Sequence, residues 1–156
     1  MAGRIEARIA ELGIELPEAQ MARVAKIRGW KRTGNLLYVS GQVPKWQGET
    51  KFVGKVGREF TLEEGQAAAR LSALNMIAQA KAALDGDLDR IEEIVKLNGF
   101  VNAMPDFTEI PQVVNGASEL FIDIFGEAGH HARTAVGVAV MPFDVAIEVE
   151  GVFQVR

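Results

Sequence analysis

The chain has 156 residues, 48% hydrophobic and 24% charged, with a net charge of −4 and no cysteine. That length and balance suit one soluble globular domain with a real core. The acidic balance argues against general nucleic-acid binding, the missing cysteine excludes disulfides, thiol nucleophiles and thiolate metal sites, and no apolar run is long enough to span a membrane.

Residues 3 to 13 show a charged amphipathic helix pattern with Ile5, Ile9 and Leu12 on one stripe. It lacks the apolar stretch and cleavage site of a signal peptide, so a cytoplasmic location is expected. A connector around Pro17 follows. Residues 25 to 44, AKIRGWKRTGNLLYVSGQVP, read as a β-hairpin turning at Thr33-Gly34-Asn35, with its second strand over Leu36 to Gly41. KFVGKVGREF is Gly-rich and irregular or an edge. Residues 61 to 84 carry the clearest helix: Thr61 is the N-cap and Glu64 completes a capping box. Leu71, Leu74, Ile77 and Ala78 are its expected apolar stripe. IEEIVKLNGFVNA reads as a strand. Residues 109 to 125 read as a second helix with Val113, Leu120, Ile124 and Phe125 inward.

The last stretch reads as a strand, a turn at MPFD (residues 141 to 144) and a final strand. On the first strand Thr134, Val136 and Val138 share one side and read as core. Arg133, Ala135 and Gly137 share the other, where one guanidinium stands over a shelf of small residues. On the final strand Val145, Ile147 and Val149 oppose Ala146, Glu148 and Glu150. Matching apolar faces across a hairpin sets Val140 against Val145, Val138 against Ile147 and Val136 against Val149. That register places Glu148 opposite Gly137, Glu150 opposite Ala135, and both glutamates on the face of Arg133. Two readings of Arg133 follow: a fork that binds a ligand carboxylate, or a structural ion pair with Glu150.

The expected order, ββαβαββ behind a short helix, is an α+β fold with one mixed sheet covered on one face by two helices. The other sheet face then needs a cover, and self-association supplies one. Subunit interfaces also make clefts for small ligands.

Four blocks in this order carry a family resemblance: YVSGQVP, the long helix, VNGASELFIDIFG and ARTAVGVAVMPFDVAIEVE. The chain resembles the RidA (YjgF-type) family of reactive-intermediate deaminases, formerly called L-PSP endoribonucleases, over roughly residues 23 to 155. The resemblance implies a chorismate-mutase-like fold over residues 1 to 156, with residues 1 to 20 a helical extension. It implies a homotrimer with clefts between subunits and no cofactor or metal. It implies hydrolysis of enamines and imines such as 2-aminoacrylate to 2-keto acids and ammonia, as in 2-iminobutanoate/2-iminopropanoate deaminases. Arg133 would hold the substrate carboxylate and Glu148 would position the attacking water. Ser40 and Gly41 would line the cleft, Asn115 would join from the second helix, and the Ala135 backbone would face the carboxylate. The chain departs from the family at His131, where proline is usual, at Thr134, and at Lys26 or Ile27, where an aromatic is common. Those departures point to a divergent branch.

Other residues have two readings each. His131 is a second acid or base beside Arg133, or a loop residue at the strand entrance. The pair His130 and His131 lacks further ligands for a metal. Trp46 is a lid or a packed anchor. GKVGR (54 to 58) lacks the spacing of a phosphate loop. Lys26, Arg28, Lys31 and Arg32 form a solvated basic face. Beside the deaminase stand two alternatives: a trimer that binds small carboxylates without catalysis, and a ribonuclease, which the acidic balance disfavours.

Overall fold

Residues 2–156 are described by a computed structural model. Helix α1, Arg4–Glu11, buries Ile5 and Ile9. Eight residues are too few for a stable isolated helix, and its free N-terminal amides are taken by a distant carboxylate. Asp89 accepts from Arg4 N and Ile5 N, each at 2.8 Å. Those two bonds, Ile5 foremost, hold the Asp89 carboxyl below its ordinary value of 3.8.

Strands β1, Trp30–Thr33, and β2, Leu36–Gln42, form the expected hairpin. Its turn uses Gly34 at φ +57°, a conformation glycine adopts without strain. A separate two-stranded hairpin, β3 (Lys45–Trp46) and β4 (Glu49–Thr50), holds Trp46 half-buried. Helix α2, Leu62–Ala83, starts where its capping box predicts. Thr61 Oγ1 accepts from Glu64 N at 3.2 Å, and Glu64 Oε2 accepts from Thr61 N at 2.8 Å. Ile77 and Ala78 of the expected stripe are buried, but Leu71 and Leu74 are only half-buried, and Gly65, Ala69, Ala73, Met76 and Ala80 are buried in their place. Small residues win because helix α3, Ile110–Phe125, packs against α2 at close range. A Cβ on Gly116 of α3 would stand 2.1 Å from the Gln66 carbonyl oxygen.

Strands β5 (Ile91–Asn102), β6 (Ala132–Val138) and β7 (Ile147–Val155) complete a five-stranded sheet of order β1-β2-β7-β5-β6. All neighbours are antiparallel except β5 and β6. The fold is thus α+β with a mixed sheet, and α2 and α3 cover one face. The expected β6–β7 hairpin does not form. Helix α3 is the crossover of a β5-α3-β6 unit, which requires β6 parallel to β5. Beyond Asp144 the chain returns to the centre, where β7 pairs with both β2 and β5.

The change of neighbours also changes the faces. Arg133 pairs with Leu97, which pairs with Gly151; Leu97 is fully buried under the helices. Arg133, Ala135 and Gly137 therefore lie on the α3 side; Ala135 packs against the core, while Gly137 is exposed and lines a groove with Phe107 and Ile110. Gly99, beside Ala135, would place a Cβ 2.6 Å from Val114 of α3. Thr134 and Val136 lie on the uncovered face, in rows with Asn98–Glu150 and Phe100–Glu148. Strand β7 alternates strictly: Ile147, Val149, Gly151 and Phe153 are buried, while Glu148, Glu150, Val152 and Gln154 are half-buried.

Candidate functional site

Arg133 sits on the edge strand and reaches back to α3. Its Nη1 donates to Asn115 Oδ1 at 2.8 Å and to Ser118 Oγ at 3.1 Å, and Nη2 donates to the Pro111 carbonyl at 3.2 Å. All three acceptors are neutral. The guanidinium is half-buried, and burial pulls its pKa below the ordinary value. No carboxylate among the described residues pairs with it. Nε–H and the second Nη2 hydrogen have no protein acceptor among the described residues, and they sit on neighbouring nitrogens. Two such donors match one carboxylate. The expected ion pair with Glu150 is absent, because Glu150 lies on the opposite face and accepts from Asn98 Nδ2 at 3.2 Å.

Asn115 and Arg133 are thus brought together across α3 and β6. Ala135 shares their face and packs against the core. Two further groups join this cluster. Ser118, one turn after Asn115 on α3, touches Arg133. His131 Nε2 lies 2.8 Å from Ser118 Oγ, and its Nδ1 lies 2.7 Å from the Gly129 carbonyl. Ser118 escaped the sequence reading. Its signal was present, since residues three apart on a helix share a face and Ser118 is a hydroxyl on the buried stripe.

Glu148 stands elsewhere, on central strand β7 and on the uncovered face. It leans on Gly41 of β2: a Cβ there would meet Glu148 Oε1 at 2.2 Å. A register irregularity between Val39 and Gln42 places Ser40 and Gly41 at this spot. Ser40 Oγ donates to the Arg28 carbonyl at 2.6 Å. Ser40, Gly41, Gln42 and buried Asn75 line a pocket of about 100 Å³. Burial first, then the neighbouring Glu150 charge, pushes the Glu148 carboxyl above its ordinary 4.5. A half-buried carboxyl with a raised pKa, packed against the Gly41 backbone, has the character of an acid–base group.

One chain thus holds two half-sites. Arg133, Asn115, Ser118, His131 and Ala135 lie between β6 and α3. Glu148, Ser40 and Gly41 lie on the other face, with β5 between β6 and β7. The expectation that Arg133, Glu148 and Glu150 share a face is corrected accordingly. Among the described residues no three His, Asp or Glu side chains gather to hold a metal, and no helix is long and apolar enough to cross a membrane. Lys26, Arg28, Lys31 and Arg32 are exposed.

An α+β sheet with its helices on one face, an edge-strand arginine and a glutamate fifteen residues later define a recognisable class. The family described as "YjgF/chorismate_mutase-like, putative endoribonuclease" matches residues 6–153. The chain belongs to this YjgF/RidA family. It is 47% identical to Protein TCP17 of Trypanosoma cruzi, over 99% of this chain and 96% of that one. A structure described as a putative endoribonuclease from Shewanella oneidensis superposes with a TM-score of 0.93 at 38% identity, covering 98% of this chain and all of the other. RidA from a Psychrobacter species superposes at 0.60 with 28% identity, covering 88% and 94% of the two chains.

Proposed function

We propose that the chain is a deaminase of the 2-iminobutanoate/2-iminopropanoate type. It hydrolyses reactive enamines and imines such as 2-aminoacrylate to 2-keto acids and ammonia. The observation that carries this reading is Arg133, a half-buried cation with neutral partners and two adjacent donors free. Such a charge is costly to bury unless an anion completes it, and a 2-imino acid carries the matching carboxylate. Holding it fixes the imine carbon and removes much of the entropic part of the barrier.

Glu148 supplies the second function. An enamine first takes a proton at carbon to become the imine, whose nitrogen is protonated from solvent. Glu148 accepts a proton from water as the water oxygen bonds to that iminium carbon, giving a neutral carbinolamine. The Glu148 carboxyl then returns its proton to the amine, the C–N bond breaks as ammonia leaves, and the hydroxyl loses its proton to solvent as the carbonyl forms. Ser40, Gly41 and the Ala135 backbone line the cleft. Because the two half-sites lie on opposite faces, a single chain does not bring them to one substrate. A homotrimer does so when the uncovered face of one copy meets the β6 flank of the next. That face offers Val136 at 42% exposure beside Phe100, and Tyr38 at 47% beside Val152, with the Asn98–Glu150 pair in the row between. Such a patch favours burial against another chain.

A coupled assay tests the reading. An amino-acid oxidase or dehydratase generates the imino acid in place, and its decay is followed with and without the protein. Faster decay that vanishes in Arg133→Ala supports the deaminase. Carboxylate binding without faster decay points instead to a non-catalytic trimeric binder. Light scattering reads the assembly: the expected mass is three times that of one 16.9 kDa chain, and a monomer mass contradicts the trimer.

A further inference from the structure

His131 enters β6 with one ring nitrogen already committed. Its Nδ1 lies 2.7 Å from the Gly129 carbonyl oxygen. That oxygen only accepts, so Nδ1 carries the proton. In the neutral ring Nε2 is then an acceptor, 2.8 Å from Ser118 Oγ. The Ser118 hydroxyl hydrogen therefore points at His131, and its lone pairs are left for Arg133 Nη1 at 3.1 Å. The chain of donors runs one way, from guanidinium to hydroxyl to imidazole to carbonyl.

Direction matters here. Ser118 is only 8% exposed, and the imidazole is the acceptor the fold sets against its hydroxyl. A hydroxyl turned the other way would present its hydrogen to the guanidinium and push it aside. With His131 fixing Ser118, and Asn115 holding the other Nη1 hydrogen, Nη1 is fully used. The free donors are then confined to Nε and Nη2, the side a carboxylate needs.

We infer that His131 is a positioning residue for the carboxylate fork, acting through Ser118 to hold Arg133 open toward an incoming carboxylate. This rests on reading Arg133 as the carboxylate holder. The group also reports on the site. Ser118 and Phe121 face the ring from α3 and the Gly129 carbonyl from the preceding turn, none of them charged. The charges acting on it are Arg133 and His130, and with burial as the larger cause they keep its pKa below 6.5. A carboxylate on Arg133 offsets the stronger of these two charges, so binding raises the His131 pKa.

The test is a titration of the full chain with 2-oxobutanoate, a stable keto acid, followed by calorimetry and by the histidine resonances. His131→Ala and Ser118→Ala each raise the dissociation constant roughly fivefold, as the loss of one hydrogen bond would. The double variant is no weaker than the worse single one. In the decay assay KM rises while kcat holds. His131→Gln recovers most of the affinity, because its amide both accepts from Ser118 and donates to Gly129. In the wild type the His131 pKa moves up on saturation. If Arg133→Ala abolishes binding while His131→Ala binds as wild type, or the His131 pKa ignores the ligand, the positioning role is overturned. If Arg133→Ala itself binds as wild type, the carboxylate reading fails, and the inference falls with it.

Discussion

Asn115 and Arg133 meet across the gap between α3 and the edge strand, the amide oxygen accepting from Nη1 at 2.8 Å. An amide aims the guanidinium without cancelling its charge. Asn115→Asp would put a carboxylate at the same place and offset that charge internally. The expected result is a loss of 2-oxobutanoate affinity of about tenfold or more, with thermal stability kept or raised. Asn115→Ala loosens the fork and loses less. Calorimetry on the two variants reads the difference.

Glu148 has a testable acid limb. As a base it works ionised, and its carboxyl titrates above 4.5. The decay rate at low substrate therefore falls as pH drops through that raised value. Glu150→Gln removes the neighbouring charge and moves the limb to lower pH. Glu148→Gln keeps keto-acid binding and lowers kcat by about a hundredfold.

The same shift makes a statement about stability. A carboxyl raised by burial is disfavoured in its charged form, so the folded chain is relatively more stable when it is protonated. That contribution is fully present below 4.5 and is lost as pH rises through the folded value. Glu148→Gln should melt at a higher temperature than wild type at pH 7. The two should converge well below pH 4.5, and a constant gap across pH in scanning calorimetry would contradict the assignment.

Two glycine substitutions separate function from fold. A Cβ on Gly41 meets the Glu148 carboxylate at 2.2 Å, the mobile end of a side chain. Gly41→Ala should displace Glu148, lower turnover and leave the urea midpoint nearly unchanged. A Cβ on Gly116 meets the Gln66 backbone oxygen at 2.1 Å. Alanine gains about 1 kcal/mol of helix propensity there, but the helices must separate. Gly116→Ala should cost about 2 kcal/mol net in urea unfolding.

The clamp on α1 is also open to test. Asp89→Ala leaves the Arg4 and Ile5 amides without their acceptor and should cost about 1 kcal/mol, as for a lost N-cap. Hydrogen exchange at those two amides should speed up, while the sheet amides stay protected. Because the Asp89 pKa is lowered, its contribution is present above 3.8 and lost as pH falls through the folded value.

The helices were legible in the sequence because their signals are local. Thr61 and Glu64 mark the start of α2 within four residues, and the inward side of α3 follows from its own period. The alternation of β7 likewise gave Glu148 its correct face. The site was harder, since its parts meet through tertiary contacts. A shelf of Ala135 and Gly137 reads alike whether it floors a groove or seats a helix, and only the position of α3 decides that Ala135 does the second and Gly137 the first. The valines of β6 look like core and yet line the uncovered face. Consecutive strands usually pair, so β6 and β7 read as a hairpin, and that one step carried Arg133 to the wrong side. Asn115 came from family resemblance; its contact with Arg133 spans α3 and a turn that no local pattern encodes.

Strand β7 is both the final element and the seam of the sheet. Strands β1 and β2 bond to the rest only through it, and so do β5 and β6. In a chain cut before Ile147 the five-stranded sheet would be left as two separate two-stranded ribbons, and such ribbons are marginal by themselves. During synthesis the sheet therefore stays split until its last nine-residue strand emerges. A frameshift or stop codon just ahead of β7 would therefore split the whole sheet rather than trim one strand from it.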